Sequence, residues 1–124
     1  VTSYPDAEDL LIDYLQPIVG VPVRTRVPRT RPDVWLHVRR SGGVDDVVRD
    51  RPRLDVFAWA PDDGATRDLL TTARSAIHDL KGTTLLGVTC YQVEEFLGPT
   101  RADDRETGTP RMWMTVQLSL RTTS

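Results

Sequence analysis

Arg53-Leu54-Asp55-Val56-Phe57-Ala58-Trp59-Ala60 is the stretch that decides the fold. Leu54, Val56, Ala58 and Ala60 alternate with Asp55, Phe57 and Trp59, the period of two that a strand imposes on its two faces. Bulky apolar groups stand on both sides of the alternation. The segment therefore predicts a central strand, with a helix over one face and partial cover from a neighbour over the other. Pro61-Asp62-Asp63-Gly64 then makes a turn that opens a capped helix, because aspartate offers a side-chain oxygen to the free first-turn amides. Ala65, Leu69, Ala73, Ala76, Ile77 and Leu80 repeat at helical spacing, and Lys81-Gly82 stops the helix, which spans about Asp62 to Lys81.

Upstream, residues 1–5 read as a loose lead-in. Ser3 or Asp6 can cap a first helix whose apolar stripe is Ala7, Leu10, Leu11, Tyr14, Leu15 and Ile18. Pro17 lacks an amide proton, so this helix is expected to end near Gln16. Val21 to Val27 alternates as a strand, with Pro22 suited to its start or to a sheet edge. Val34 to Arg40 is a second strand: Val34, Leu36 and Val38 oppose Trp35, His37 and Arg39, and Ser41-Gly42-Gly43 ends it. Val44 to Pro52 reads as a connector of mixed charge.

Downstream, Val88 to Leu97 is strand-like, with Thr89, Tyr91, Val93 and Leu97 on one face. Gly98 to Thr109 is a long polar loop that is expected to stay flexible, since it has little apolar surface to bury. Met112, Met114, Val116, Leu118 and Leu120 alternate with Trp113, Thr115, Gln117, Ser119 and Arg121, the cleanest period-two run in the chain. The expected architecture is α+β, as one domain over residues 1–124. About five strands form a mostly antiparallel sheet packed by two helices, or a mixed sheet if the second helix acts as a crossover.

Composition narrows the function. At 124 residues with a formal net charge of −2, the chain is not a general nucleic-acid binder. No apolar run approaches the roughly 20 residues of a membrane span, and no secretory signal pattern opens the sequence. Cys90, the single cysteine, fits a reducing cytoplasm. Lys81 is the only lysine against many arginines, which follows either from a GC-rich coding genome or from the bidentate and stacked contacts that guanidinium makes at interfaces.

Reactive chemistry finds no foothold. His37, His78 and Cys90 are too scattered for a metal site, and each histidine reads as satisfied or solvated. Cys90 lies in an apolar strand, where a buried inert thiol is the usual outcome. Asp45-Asp46, Asp62-Asp63 and Asp103-Asp104 lie in turns, while Glu94 and Glu95 point to opposite sides of a strand. No glycine-rich phosphate cradle is present. The expectation is a protein that is no enzyme, with no metal and no cofactor.

Residues 21–53 carry an excess of positive charge: Arg24, Arg26, Arg29, Arg31, Arg39, Arg40, Arg49, Arg51 and Arg53. Three readings stand open for this stretch. It could contact a DNA backbone, it could meet an acidic patch on another protein surface, or it could be a solvated edge protected by charge. The acidic helices of an identical copy favour the protein contact over the DNA one. The Gly98–Thr109 loop is either a floppy tip or a segment that orders on a partner.

As an ordered set, several motifs resemble the tail-terminator proteins of long-tailed bacteriophages. They are the helix Asp6-Ala7-Glu8-Asp9-Leu10-Leu11-Ile12-Asp13-Tyr14-Leu15, then Val23-Arg24-Thr25, and Leu36-His37-Val38-Arg39-Arg40-Ser41-Gly42-Gly43. Asp50-Arg51-Pro52-Arg53-Leu54-Asp55-Val56, the alanine-rich helix from Ala65, and Glu95-Phe96-Leu97-Gly98-Pro99 with a final strand complete the set. The resemblance implies a virion protein assembled in the host cytoplasm. It implies a ring, commonly a hexamer, on the head-proximal end of the tail tube, contacting the major tail tube protein and the head–tail connector. Genome DNA would pass through the channel without sequence-specific binding. The expected interface residues are Arg24, Arg26, Arg39, Arg40, Arg53, Arg101, Asp103, Asp104 and Arg105. Alternatives are another neck protein, such as a head-closure or tail-completion subunit, or a small ligand-binding or enzymatic α+β domain.

Overall fold

The structure is a computed structural model that describes residues 6–45, 50–85 and 87–122. The lead-in expected over residues 1–5 lies outside them, as does the middle of the Val44–Pro52 connector. The elements are α1 (Ala7–Val19), β1 (Val23–Arg24), β2 (Trp35–Asp45), β3 (Asp50–Trp59), α2 (Asp63–Asp79), β4 (Thr83–Leu85), β5 (Val88–Arg101) and β6 (Arg111–Thr122). They make an α+β fold with one six-stranded sheet in the order β1-β2-β3-β6-β5-β4.

β3 is central, as its two apolar faces require. It pairs antiparallel with β2, Leu36 opposite Ala58 and Val38 opposite Val56, and with β6, Val56 opposite Met114 and Leu54 opposite Val116. Leu36, Val38, Leu54, Val56, Met114, Val116, Leu118 and Leu120 turn one face of the sheet towards the helices. There they meet Leu10, Leu11 and Leu15 of α1 and Leu69, Leu70, Ala73 and Ile77 of α2. Each fully buried side chain of this size stabilises the fold by about 2 kcal/mol. The Tyr14 hydroxyl donates to the Ala76 carbonyl at 2.7 Å and ties α1 to α2.

Several boundaries differ from the sequence expectation. α1 runs through Pro17 to Val19. The proline forfeits only one bond in the last turn, and both Pro17 and Asp13, whose carbonyl loses its donor, are exposed. Gly20, at φ 68°, closes the helix by donating to the Gln16 carbonyl. The strand expected over Val21–Val27 is only Val23–Arg24. It pairs parallel with β2, so the sheet is mixed because of β1 and not because α2 acts as a crossover. β4 is a sixth strand too short to show in periodicity.

Ser41-Gly42-Gly43 does not end β2. The strand passes through it, with a register shift between Arg40 and Gly42, and pairs Gly43 with Pro52 and Val44 with Arg51. Glycine serves here to bulge the strand and to admit a close backbone approach. Similar bulges in β5, at Cys90/Gln92, Glu95/Leu97 and Leu97/Thr100, break the single face expected for Thr89, Tyr91, Val93 and Leu97. Val88, Cys90 and Val93 pack on the helix side instead, while Leu97 lies opposite Thr115. β5 also continues to Arg101, so the loop begins four residues later than its composition implies.

Gly43 has φ 103°, and a Cβ placed on it would lie 2.1 Å from the Arg51 carbonyl oxygen and 2.7 Å from the Arg53 nitrogen. Gly43→Ala is therefore expected to lower stability by about 2 kcal/mol or more, read as a drop in the urea midpoint. Gly42→Ala meets no atom within 4 Å and carries only the cost of its φ of 137°.

Candidate functional site

The sheet face turned away from the helices is built from the odd-numbered residues of β3 and β6. At one end it holds an aromatic stack. Trp35 lies on Trp59 with ring centroids 5.2 Å apart, Phe57 on Trp113 at 5.4 Å, and His37 on Phe57 at 5.4 Å. The stack follows directly from register, since Trp35 opposes Trp59, His37 opposes Phe57 and Phe57 opposes Trp113. Trp35, Phe57 and Trp59 form a second buried cluster, separate from the helix-side core.

Arginines lie over these rings. Arg111 stands 5.0 Å from both the Phe57 and the Trp59 centroids, Arg39 lies 5.2 Å from Phe57, and Arg31 lies 5.1 Å from Trp59. Each is also held by an oxygen. Arg111 Nε donates to the Ala102 carbonyl at 2.7 Å, Arg31 Nη1 to Asp104 at 3.4 Å, and Arg39 Nε to Asp55 at 3.2 Å. Asp55 is buried and accepts a second bond from the Thr115 hydroxyl at 2.7 Å. Burial pushes the Arg111 guanidinium down from its ordinary value. Burial likewise pushes the His37 imidazole down, so the ring is neutral, and its Nε2–H donates to the Thr25 carbonyl at 3.0 Å.

The segment between β5 and β6 folds back over this stack. It does so with hydrogen bonds in place of apolar burial. Asp104 N donates to the Thr109 carbonyl, Gly108 N to the Asp104 carbonyl, and the Thr107 hydroxyl to Asp104 at 2.6 Å. The Thr107 hydroxyl bond and Arg31 hold the Asp104 carboxyl below the usual carboxylate range, and Arg101 does the same for Asp103. Between this segment and the floor of Arg39, Phe57, Arg111 and Trp113 lies an open cleft of about 550 Å³. Within it Arg39 and Arg111 are engaged, and Asp103 and Asp104 are held below the usual carboxylate range.

The nine residues expected at an interface separate into different environments. Arg40, itself exposed, is engaged within the subunit: Nη1 and Nη2 donate to Asp50 at 3.0 and 2.8 Å, Nε donates to the Gly42 carbonyl, and Asp50 is buried. Arg39 is held by Asp55, and Asp104 by Arg31. Arg101 bridges Asp103 at 2.8 Å and Asp63 at 3.5 Å. Arg24 donates to Gln16 at 3.3 Å, and Arg26 and Arg105 are exposed. Arg53 stacks 4.2 Å over Phe96, an exposed ring. Among the described residues, neither Arg53 nor its neighbour Arg51 reaches a carboxylate, and the Nε of each is buried without a partner.

The sequence expectation did not include the cluster joining α2 to β5. Glu95 accepts from Arg74 Nη2 at 2.9 Å and meets His78 Nε2 at 3.0 Å. Glu94 and Glu95 do point apart, but the partner across the sheet could not be found without the register. Cys90 is buried, and burial pushes its thiol up, away from the reactive thiolate. Among the described residues, no group of three or more His, Cys, Asp or Glu could hold a metal ion, and no helix is long and apolar enough to cross a membrane.

Residues 3–124 match the family model described as phage tail termination protein, and the chain belongs to that family. It is a structural phage tail protein. A chain of the solved structure "Virion of native gene transfer agent (GTA) particle" has the same fold at 10% sequence identity, with a TM-score of 0.62 over 93% of this chain and 94% of that one. Comparison with curated proteins gave no match.

Two stability predictions follow from these contacts. The Arg74 hydrogen bond, with help from His78, depresses the Glu95 carboxyl to about 2. Its stabilisation is complete above about pH 4.5 and is lost as pH falls towards 2, because only the unfolded chain then gains the proton early. Arg74 is 44% exposed and water screens the pair, so the loss is about 1 kcal/mol. Glu95→Gln should reduce by that amount the fall in stability measured between pH 5 and 2 (about the range of both pKa values). Asp50→Ala should cost about 2 kcal/mol in chemical denaturation, since it removes both acceptors of the Arg40 fork.

Proposed function

We propose that this protein forms a hexameric ring on the head-proximal end of the phage tail tube. There it halts polymerisation of the major tail tube protein and presents a docking surface to the head–tail connector. Genome DNA passes through the ring without sequence-specific contact. The protein works as a virion component after assembly in the host cytoplasm, and it turns over no substrate. The observation that carries this reading is the family match across residues 3–124.

The surface chemistry supports a ring. A closed ring needs two different surfaces on one subunit, related by a rotation that closes. α1 with its cap carries Asp6, Glu8, Asp9 and Asp13 and no basic residue, whereas the opposite sheet face carries Arg51, Arg53, Arg111 and Arg121. The sheet's sides oppose open-ended strand addition. The edge strands β1 and β4 are short, and the strands next to them are irregular: β5 has three register shifts and Pro99, and β2 has a shift beside Gly42-Gly43. Contacts through side-chain faces are thereby favoured over continued backbone pairing. Arg24, Arg26, Arg53 and Arg105, the arginines of the expected set that no described carboxylate engages, are the ones free to contribute. The segment after Arg101 meets the tube in this reading.

Negative-stain imaging of the purified protein, alone and mixed with tail tubes, tests this reading. Rings of six subunits, and tubes of defined length capped at one end, are the expected outcome. Binding to isolated heads with uncapped tubes would assign the protein to another position in the neck. Particles that remain monomeric under both conditions would overturn the ring.

A further inference from the structure

Three exposed large apolar side chains stand out among the described residues: Ile18, Val27 and Phe96. Phe96 adjoins uncommitted positive charge. On α1, Asp6, Asp9 and Asp13 are exposed at helical spacing and lead along the same side to Pro17. None of the three carboxylates is in an ion pair among the described residues, and Asp6 crowds Asp9 enough to raise its carboxyl above the ordinary range. On the far side of the sheet, Arg53 and Arg51 stand two residues apart on the same face of β3. Phe96 lies under the Arg53 guanidinium and Arg121 extends the patch along β6. The buried Nε groups of Arg51 and Arg53 lack acceptors, unlike the engaged arginines at the aromatic end.

We propose that the Arg51–Arg53–Phe96 patch of one copy receives the acidic stripe of α1, Asp9 and Asp13, from a second copy of this chain. The occupant is identified by charge complementarity. The patch offers two cations that no carboxylate of the described residues meets, and the stripe offers exposed carboxylates that no described cation meets. The two surfaces lie on opposite sides of the sheet, so the contact is head-to-tail and propagates around a closed set of subunits. It builds on the ring reading and assigns which faces form the joint.

Charge exchange tests it. Arg51→Glu with Arg53→Glu in one variant, and Asp9→Arg with Asp13→Arg in another, should each abolish the oligomer in sedimentation velocity at concentrations where the unaltered chain is assembled. Circular dichroism and the melting temperature monitor the fold. Mixing the two variants should restore mixed oligomers, because each supplies the surface that the other has reversed. A second measurement covers misfolding of the multiple variants: Arg53→Cys mixed with Asp13→Cys under mild oxidation should yield a heterodimeric disulfide, since Cys90 is buried. Rings that persist in both charge-reversed variants, or cysteines that fail to cross-link within intact rings, would overturn this joint and leave the ring reading standing. An unaltered chain that makes neither rings nor tube caps would overturn both.

Discussion

Leu54, Val56 and Ala58 project into one core while Phe57 and Trp59 project into another, so β3 has no face that water can be allowed to touch. A strand of this kind has to be hydrogen-bonded on both edges and covered on both sides. β2 and β6 supply the edges, and their own alternation then sets what each side must contain. Towards the helices, the register gathers aliphatic residues whose area α1 and α2 cover. Away from them, it gathers aromatic rings, and among the described residues no third helix covers those. The cover has to come from connections. The stretch around Arg31 and Pro32 and the segment after Arg101 provide it, and this is why a loop that is polar by composition acquires a defined path.

Covering aromatic rings with polar connections works only if the connections bring cations with acceptors. Arg31, Arg39 and Arg111 stand over the rings and each keeps an N–H bonded, to Asp104, Asp55 and the Ala102 carbonyl. The charges of Arg31 and Arg39 are thereby balanced within the subunit. Arg40 is neutralised in the same way on the other side, by Asp50. Part of the basic stretch is thus internal wiring, and the charge available to partners is that of the guanidinium groups that no carboxylate meets: Arg24, Arg26, Arg29, Arg51 and Arg53 among the described residues. Net basicity along the chain and available basicity on the surface are different quantities, and only the second bears on partners.

The periodicities made the framework legible. Both helices, the central place of β3, the alternation of β6 and the opposition of Trp35, His37 and Arg39 to Leu36 and Val38 all rest on local patterns of period two or 3.6. What escaped is what register and bulges decide. A bulge costs one residue and inverts every face beyond it, so β5 could not be phased from its sequence. Glycines at 42 and 43 mark a turn in most contexts, and only the backbone of Arg51–Arg53 crossing close by makes them part of a strand. Pro17 obeyed the rule for helix interiors less strictly because it sits in a last, exposed turn. The site followed the same division. Individual arginines could be picked out as charged, but whether each one had a partner depended on residues 10 to 73 positions away, such as Asp50 for Arg40 and Asp104 for Arg31.

The near absence of lysine takes on a physical meaning at particular positions. A guanidinium is flat, so it can lie on a ring and still direct its N–H groups sideways to a carbonyl or a carboxylate. Arg111 does this between Phe57 and Trp59 while bonding Ala102, and Arg39 does it over Phe57 while bonding Asp55. An ammonium in either place would have to choose between the ring and the oxygen. A GC-rich genome explains why arginine is frequent, but it does not explain why four arginines stand over aromatic rings. Three of those four have their hydrogens occupied. The fourth, Arg53, stands over Phe96, and neither it nor neighbouring Arg51 meets a carboxylate among the described residues. The other three ring-stacked arginines each find an oxygen within the subunit, so the charges of this pair mark the place where an acceptor from outside would complete the pattern.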